Sequence, residues 1–228
     1  MRQKSLIVGL GEVGDAISKI LLDAYGPENV AGITRDASFG DIKQSFDIMH
    51  VCIGYSDQFI EQVDAYQKIY KPKYTVIHST VPVGTTRKLN AIHSPIRGVH
   101  PNLEGGIRTF PKFLAGPNVD HIADYFRRAG LKVILFEDPE ISEAGKLFDT
   151  EYYRACIEFS QRVKAYCSKY NLNFHEVYTI FNTTYNEGYV KLGYPEVVRP
   201  VLEPIMKPIG GHCVVPNSKL IKQGEMAE

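Results

Sequence analysis

Short apolar runs alternate with longer stretches of helical spacing through the first 138 residues. The runs are Ser5–Val8, Asn29–Thr34, Asp47–Gly54, Thr75–Ser79, Ile96–His100 and Lys132–Phe136. Runs this short and this apolar predict strands buried on both faces. The intervening stretches Asp15–Tyr25, Gln58–Tyr70, Thr85–Ala91 and Val119–Ala129 predict helices. In the first of them Ile17, Ile20, Leu21 and Ala24 share one face, and Gly26-Pro27 ends it. The alternation predicts βαβ units, hence an α/β fold with a Rossmann-type doubly wound parallel sheet.

The pattern changes near Pro139. Apolar positions then fall at 141, 144, 148, 152, 155, 159, 163, 166 and 170, in steps of three and four. This spacing predicts one long amphipathic helix, about eight turns, with Ser142 as its cap. A shorter helix is expected at Phe174–Thr183, and five prolines between Pro195 and Pro216 exclude one continuous helix there. The chain thus reads as a Rossmann domain over 1–138 and a long helix with a small helical region over 139–228. Opposite the apolar stripe, Glu143, Lys146, Thr150 and Arg154 share a face that should meet solvent or a polar cleft. The stripe carries Phe148, Tyr152, Phe159, Tyr166 and Tyr170, more than a sheet domain covers. A two-fold helix-to-helix homodimer is the simplest way to bury the remainder.

Charge narrows the function classes. Lys+Arg and Asp+Glu both number 26, so no basic surplus serves a nucleic-acid partner. No apolar run approaches the ~18 residues of a membrane span, and Leu6-Ile7-Val8 is too short for the core of a secretory leader. Cys52, Cys156, Cys167 and Cys213 form no C-x-x-C pair and match no zinc spacing. The expectation is a cytoplasmic chain with reduced thiols, no metal and a small-molecule substrate.

Gly9-Leu10-Gly11-Glu12-Val13-Gly14 follows the first predicted strand and opens the first predicted helix. In that context G-x-G-x-x-G is a dinucleotide fingerprint. Gly9 permits the tight turn, Gly11 lets the backbone approach a pyrophosphate, and Gly14 lets helix and strand pack closely. Glu12 and Val13 supply free N–H groups at the helix N-terminus. About 20 residues on, where NAD sites place an acid, the chain has Thr34-Arg35-Asp36. Arg35 suits a 2′-phosphate and favours NADP; with Asp36 as the ribose acid and Arg35 solvated, the cofactor is NAD.

Three further segments, Ser79-Thr80-Val81-Pro82-Val83-Gly84-Thr85-Thr86, Ser142-Glu143-Ala144-Gly145-Lys146-Leu147 and Pro208-Ile209-Gly210-Gly211-His212-Cys213, follow the fingerprint in order. Together they resemble the UDP-glucose/GDP-mannose dehydrogenase family, within the 6-phosphogluconate dehydrogenase-like group, over roughly residues 3–217. The resemblance implies an NAD(P)-dependent oxidoreductase. It casts Cys213 as the nucleophile that holds an aldehyde intermediate, Lys146 as the acid/base or electrostatic group, and Thr80 as the hydroxyl beside nicotinamide and substrate. It also implies a dimer. Thr150 stands where the family has an asparagine, Asn217 where it has an aspartate, and Asn102 where it has the acid of a Pro-Glu pair. The chain ends before the family's third domain, which makes a full sugar-nucleotide dehydrogenase an unfavoured reading. The alternative is a catalytically degenerate dinucleotide-binding partner or sensor.

Overall fold

The computed structural model of the protein describes residues 3–34, 45–204, 217 and 219–221. The described residues divide into two compact units, the first up to Lys146 and the second from Leu147 on. The sequence pattern changes at 138/139, whereas the units part inside the long helix.

The first unit is a seven-stranded sheet in the order β2-β1-β3-β4-β5-β6-β7. Its strands are β1 (Ser5–Val8), β2 (Val30–Ile33), β3 (Ile48–Val51), β4 (Tyr74–Ile77), β5 (Ile92–His93), β6 (Lys112–Ala115) and β7 (Val133–Phe136). Helices α1 (Glu12–Tyr25), α2 (Phe59–Tyr70), α3 (Thr85–Lys88), α4 (Leu103–Thr109) and α5 (Val119–Arg128) connect them. Alternate residues of each strand enter opposite cores. Ile7, Ile48 and Val76 join Ile17 and Leu21 of α1 and Phe126 of α5. Leu6, Val8, Met49 and Ile77 join Phe59, Val63 and Tyr66 of α2.

Three expectations are corrected here. Residues 96–100 form no strand; the strand is the two-residue β5, just before Ser94-Pro95, and β6 and α4 are further elements that the apolar pattern does not reveal. Pro95 lacks an N–H to continue the ladder, and the chain leaves the sheet with Ile96 buried and Val99 exposed. The sheet is not wholly parallel, because β5 and β6 pair antiparallel through His93 and Ala115. The long helix α6 runs Pro139–Lys169, so Ser142 lies inside its first turns. Asp138 takes the capping position instead, its Oδ1 accepting from Glu140 N at 3.0 Å.

In the second unit α6 continues from Leu147, and a π-helical turn at His175–Ile180 leads into α7 (Phe181–Lys191). Phe174, Tyr178 and Cys167 form a small core with Val163 and Val201. The burial of α6 reverses the sequence expectation. Phe148, Tyr152, Phe159, Tyr166 and Tyr170 are 48–61% exposed, while Glu143, Leu147, Thr150, Ile157, Ser160 and Cys167 are buried. The polar face is therefore packed, and the apolar stripe is the outward one.

Candidate functional site

The glycine turn has the form its sequence predicts. Gly9 adopts φ +94°, a left-handed conformation that glycine alone takes without strain. A Cβ on Gly14 would stand 1.8 Å from the Gly9 carbonyl oxygen, so only glycine fits between turn and helix. Gly11, the N-cap of α1, meets nothing within 4 Å of an added Cβ. That side of the turn is open, as the approach of a pyrophosphate requires. The amides of Glu12, Val13 and Gly14 begin the helix and are the ones an intrahelical bond cannot satisfy. The turn sits between β1 and β3, at the carboxyl edge of the sheet where the strand order reverses. Gly9 N donates to Ile33 O at 2.9 Å, which fastens the turn to the end of β2. Thr34, the next residue, is exposed. Arg35 and Asp36 lie outside the described residues.

Contacts run from this turn along the same edge, first by packing and then by hydrogen bonds. Gly9 packs against Cys52 and Ile53, just beyond β3. Ser79 Oγ donates to Ile53 O at 2.5 Å. His93 at the end of β5 then bridges the Ser79 carbonyl (Nε2, 3.3 Å) and Ser142 Oγ (Nδ1, 2.8 Å). A neutral ring protonated on Nε2 meets both contacts, donating to the carbonyl and accepting from the hydroxyl. Burial lowers the His93 imidazole to about 3; the Ser79 carbonyl opposes this, and the charges of Lys112 and Lys146 reinforce it. Next to Ser142, the Glu143 carboxylate accepts from Gly84 N (2.6 Å), Thr86 N (2.8 Å) and Thr86 Oγ1 (2.5 Å). Burial holds this carboxyl above its ordinary range, the bonds from Thr86 and Gly84 offset that only in part, and the charge of Glu140 adds to it.

The first turns of α6 and the loop 79–86 are thereby joined. Thr80 is half-buried within that loop, and Lys146 is half-buried one turn beyond Ser142 and Glu143 on the same helix face. Two of the sequence-predicted site residues thus lie on segments bonded to each other. Cys213 and the whole Gly210-Gly211-His212-Cys213 motif lie outside the described residues. In the second unit Asn217 Nδ2 donates to Thr150 Oγ1 at 3.4 Å, and both residues are buried. Two of the three positions that depart from the pattern the resemblance implies are therefore neighbours. Asn102 has a local structural task, its Oδ1 capping α4 through Gly105 N at 3.0 Å. His100 Nδ1 lies 2.7 Å from Oε1 of Glu12, across the entrance to α1.

A second polar cluster lies behind this edge, inside the sheet unit. His50, His78 and Lys112 are at most 3% exposed. His78 Nδ1 donates to Ser94 O at 2.9 Å and its Nε2 accepts from His50 Nδ1 at 3.0 Å. Lys112 Nζ donates to Ser94 O (2.7 Å) and Pro95 O (3.2 Å) and lies 3.2 Å from His78 Nδ1. Two donors and one lone pair suit a neutral amine, and burial lowers Lys112 to about 7. Burial likewise lowers His50 to about 3 and His78 well below its ordinary value. No sequence signal marks these histidines, or His93, as an internal set; His50 and His78 each occupy one position of an apolar run, and His93 lies outside the runs.

No family model matches the chain, and no curated protein is similar to it in sequence. Solved structures are similar in fold. UDP-D-ManNAc dehydrogenase from Pyrococcus horikoshii superposes with a TM-score of 0.75 at 15% identity, over 95% of this chain and 63% of that one. NDP-N-acetyl-D-galactosaminuronic acid dehydrogenase from Methanosarcina mazei Go1 gives 0.71 at 17% identity, over 99% and 61%. The chain shares its fold with these two dehydrogenases. It spans about three-fifths of the length of these two. 3-Hydroxyisobutyrate dehydrogenase from Mycobacterium tuberculosis shares the fold more completely end to end, with a TM-score of 0.71 at 13% identity over 100% and 88%. Among the described residues no helix is long and apolar enough to cross a membrane.

Proposed function

We propose that the protein is an NAD(P)-dependent oxidoreductase acting on a small-molecule alcohol or aldehyde. The observation that carries this reading is the open glycine turn, packed on Ile53, whose carbonyl begins the hydrogen bonds through Ser79 and His93 to α6, where Glu143 holds the other end of the loop that carries Thr80. The fold shared with the dehydrogenases supports it. In this reading Gly9 shapes the turn, and Gly11, Glu12, Val13 and Gly14 bind the pyrophosphate through backbone N–H groups. Thr34 and Arg35 receive the adenosine ribose, Arg35 favouring NADP through its 2′-phosphate. When bound, the nicotinamide supplies the two-electron oxidant or reductant. The chain's own part is to orient the substrate and handle its proton. Thr80 Oγ1 holds the reacting oxygen or a water, Lys146 Nζ sets positive charge against that oxygen, and Cys213 is the nucleophile that the resemblance implies. The outward apolar stripe of α6 supports a homodimer through that helix.

A second reading, a dinucleotide-binding protein without turnover, is favoured by the Thr150–Asn217 contact. Two neutral side chains occupy the positions where the resemblance expects an asparagine and a carboxylate. The test has two stages. Titration with NADPH and NADH should show binding that Gly11→Val abolishes without unfolding the protein, and Arg35→Ala should weaken NADPH far more than NADH. Retained binding in Gly11→Val removes the site. Alkylation of Cys213 that is fast and blocked by the dinucleotide supports the oxidoreductase; slow, dinucleotide-independent alkylation supports the second reading.

A further inference from the structure

Glu143 has no exposed surface, and the three hydrogen bonds it accepts come from one short stretch, Gly84 to Thr86. A buried carboxylate is costly to desolvate and persists where several donors compensate it. Its bonds hold the far end of the loop 79–86, where Gly84 turns the chain at φ +86°. The near end of the same loop is held by Ser79, whose hydroxyl reaches Ile53 O and whose carbonyl meets His93 Nε2. His93 is in turn fixed by Ser142. Consecutive residues of α6 therefore grip both ends of the loop, and Thr80 lies between the grips.

We infer that Glu143, with Ser142 acting through His93, is the positioning group that sets Thr80 against the nicotinamide half of the dinucleotide. The inference rests on the dinucleotide reading above and adds a residue to it. Glu143 touches neither ligand nor reacting atoms; it acts through the backbone of Gly84 and Thr86. The glycine turn keeps its own fastenings, Gly9 N to Ile33 O and the packing on Ile53. Loss of the grip should therefore leave the adenosine half of the site intact.

The test compares a whole dinucleotide with the same molecule lacking nicotinamide. The probes are NADPH with 2′-phospho-ADP-ribose, or NADH with ADP-ribose if the wild type prefers NADH. Glu143→Gln keeps the shape but turns an NH₂ toward the loop donors, so at least one bond must break. It should weaken the whole dinucleotide about 10-fold and leave the fragment within about 2-fold, the scale of one charge-assisted hydrogen bond. Amide exchange at Gly84 and Thr86 should quicken while exchange in β3 and β4 is unchanged. Thr86→Val removes one of the three bonds at constant shape and should move the same split by less. It carries the comparison if Glu143→Gln fails to fold. Equal weakening of both ligands, or no weakening in a folded variant whose loop amides exchange faster, overturns the inference while the dinucleotide reading stands. A wild type that binds neither ligand overturns both.

Discussion

The two compact units bury different kinds of side chain. In the sheet unit the apolar runs are the core: β1, β3 and β4 are buried almost throughout, and Phe59, Tyr125 and Phe126 are the largest fully buried groups. In the helical unit the apolar stripe of α6 faces outward, and the side of the helix that holds Thr150 and Ser160 is buried. A sheet covered on both faces consumes apolar side chains within one chain. A long helix in a unit with a small core does not do so, and its apolar stripe stays exposed, which is why a homodimer through that stripe is proposed. Burial thus follows hydrophobicity in the first unit, whereas along α6 it does not.

The sharpest way to break this contrast is inside the sheet unit. Gly14→Ala puts a methyl into the 1.8 Å gap to the Gly9 carbonyl, where backbone, not a flexible side chain, would have to move. It should cost more than about 3 kcal/mol, beyond ordinary overpacking, whereas Gly11→Ala meets open space and should stay within about 0.5 kcal/mol. Urea denaturation of the two variants checks this, and equal stabilities would contradict the packing described.

Next in size is a matched pair of phenylalanines. Phe59→Ala, at 0% exposure, should lose about 3–5 kcal/mol. Phe148→Ala, at 60% exposure, should leave the dissociated chain within about 0.5 kcal/mol. It should instead weaken self-association, read as molar mass against concentration by light scattering. A wild type that stays monomeric at micromolar concentration would remove the dimer and leave the stripe without an occupant.

The smallest effect is the pH response of the sheet unit. His50, His78 and His93 have folded pKa values well below the ordinary histidine value. The unfolded chain therefore binds more protons as pH falls through 6.5, and stability falls with it. From pH 7 to pH 6 the three together should lose on the order of 2 kcal/mol. Lys112, lowered to about 7, has the same sign in a higher window: its contribution rises from pH 7 toward the ordinary lysine value. Cys52, which burial raises to about 12, acts oppositely above pH 9, so the rise is best read between pH 7 and 9. Lys112→Met should flatten that rise. Among the described residues the second unit holds no buried histidine, so acid unfolding should begin in the first.

The sequence by itself determined the α/β class, the position of β1 to β4 and β7, the glycine turn and the extent of α6. Each rests on signals that local chemistry writes into neighbouring residues: strand runs buried on both faces, a 3.6-residue period, and glycines whose missing Cβ is the requirement. Tertiary structure alone decided the rest. Strand β5 is two residues long and takes its place from its partners, not from its own pattern. Its antiparallel neighbour β6 begins with Lys112, a lysine whose burial depends on the carbonyls of Ser94 and Pro95. The face of α6 that packs could not be read from hydrophobicity, because Glu143 is buried by three donors from a loop some 57 residues earlier. Hydrogen-bond partners distant in the chain leave no period and no spacing. They exist only once the sheet has brought β4, β5 and the start of α6 to one edge.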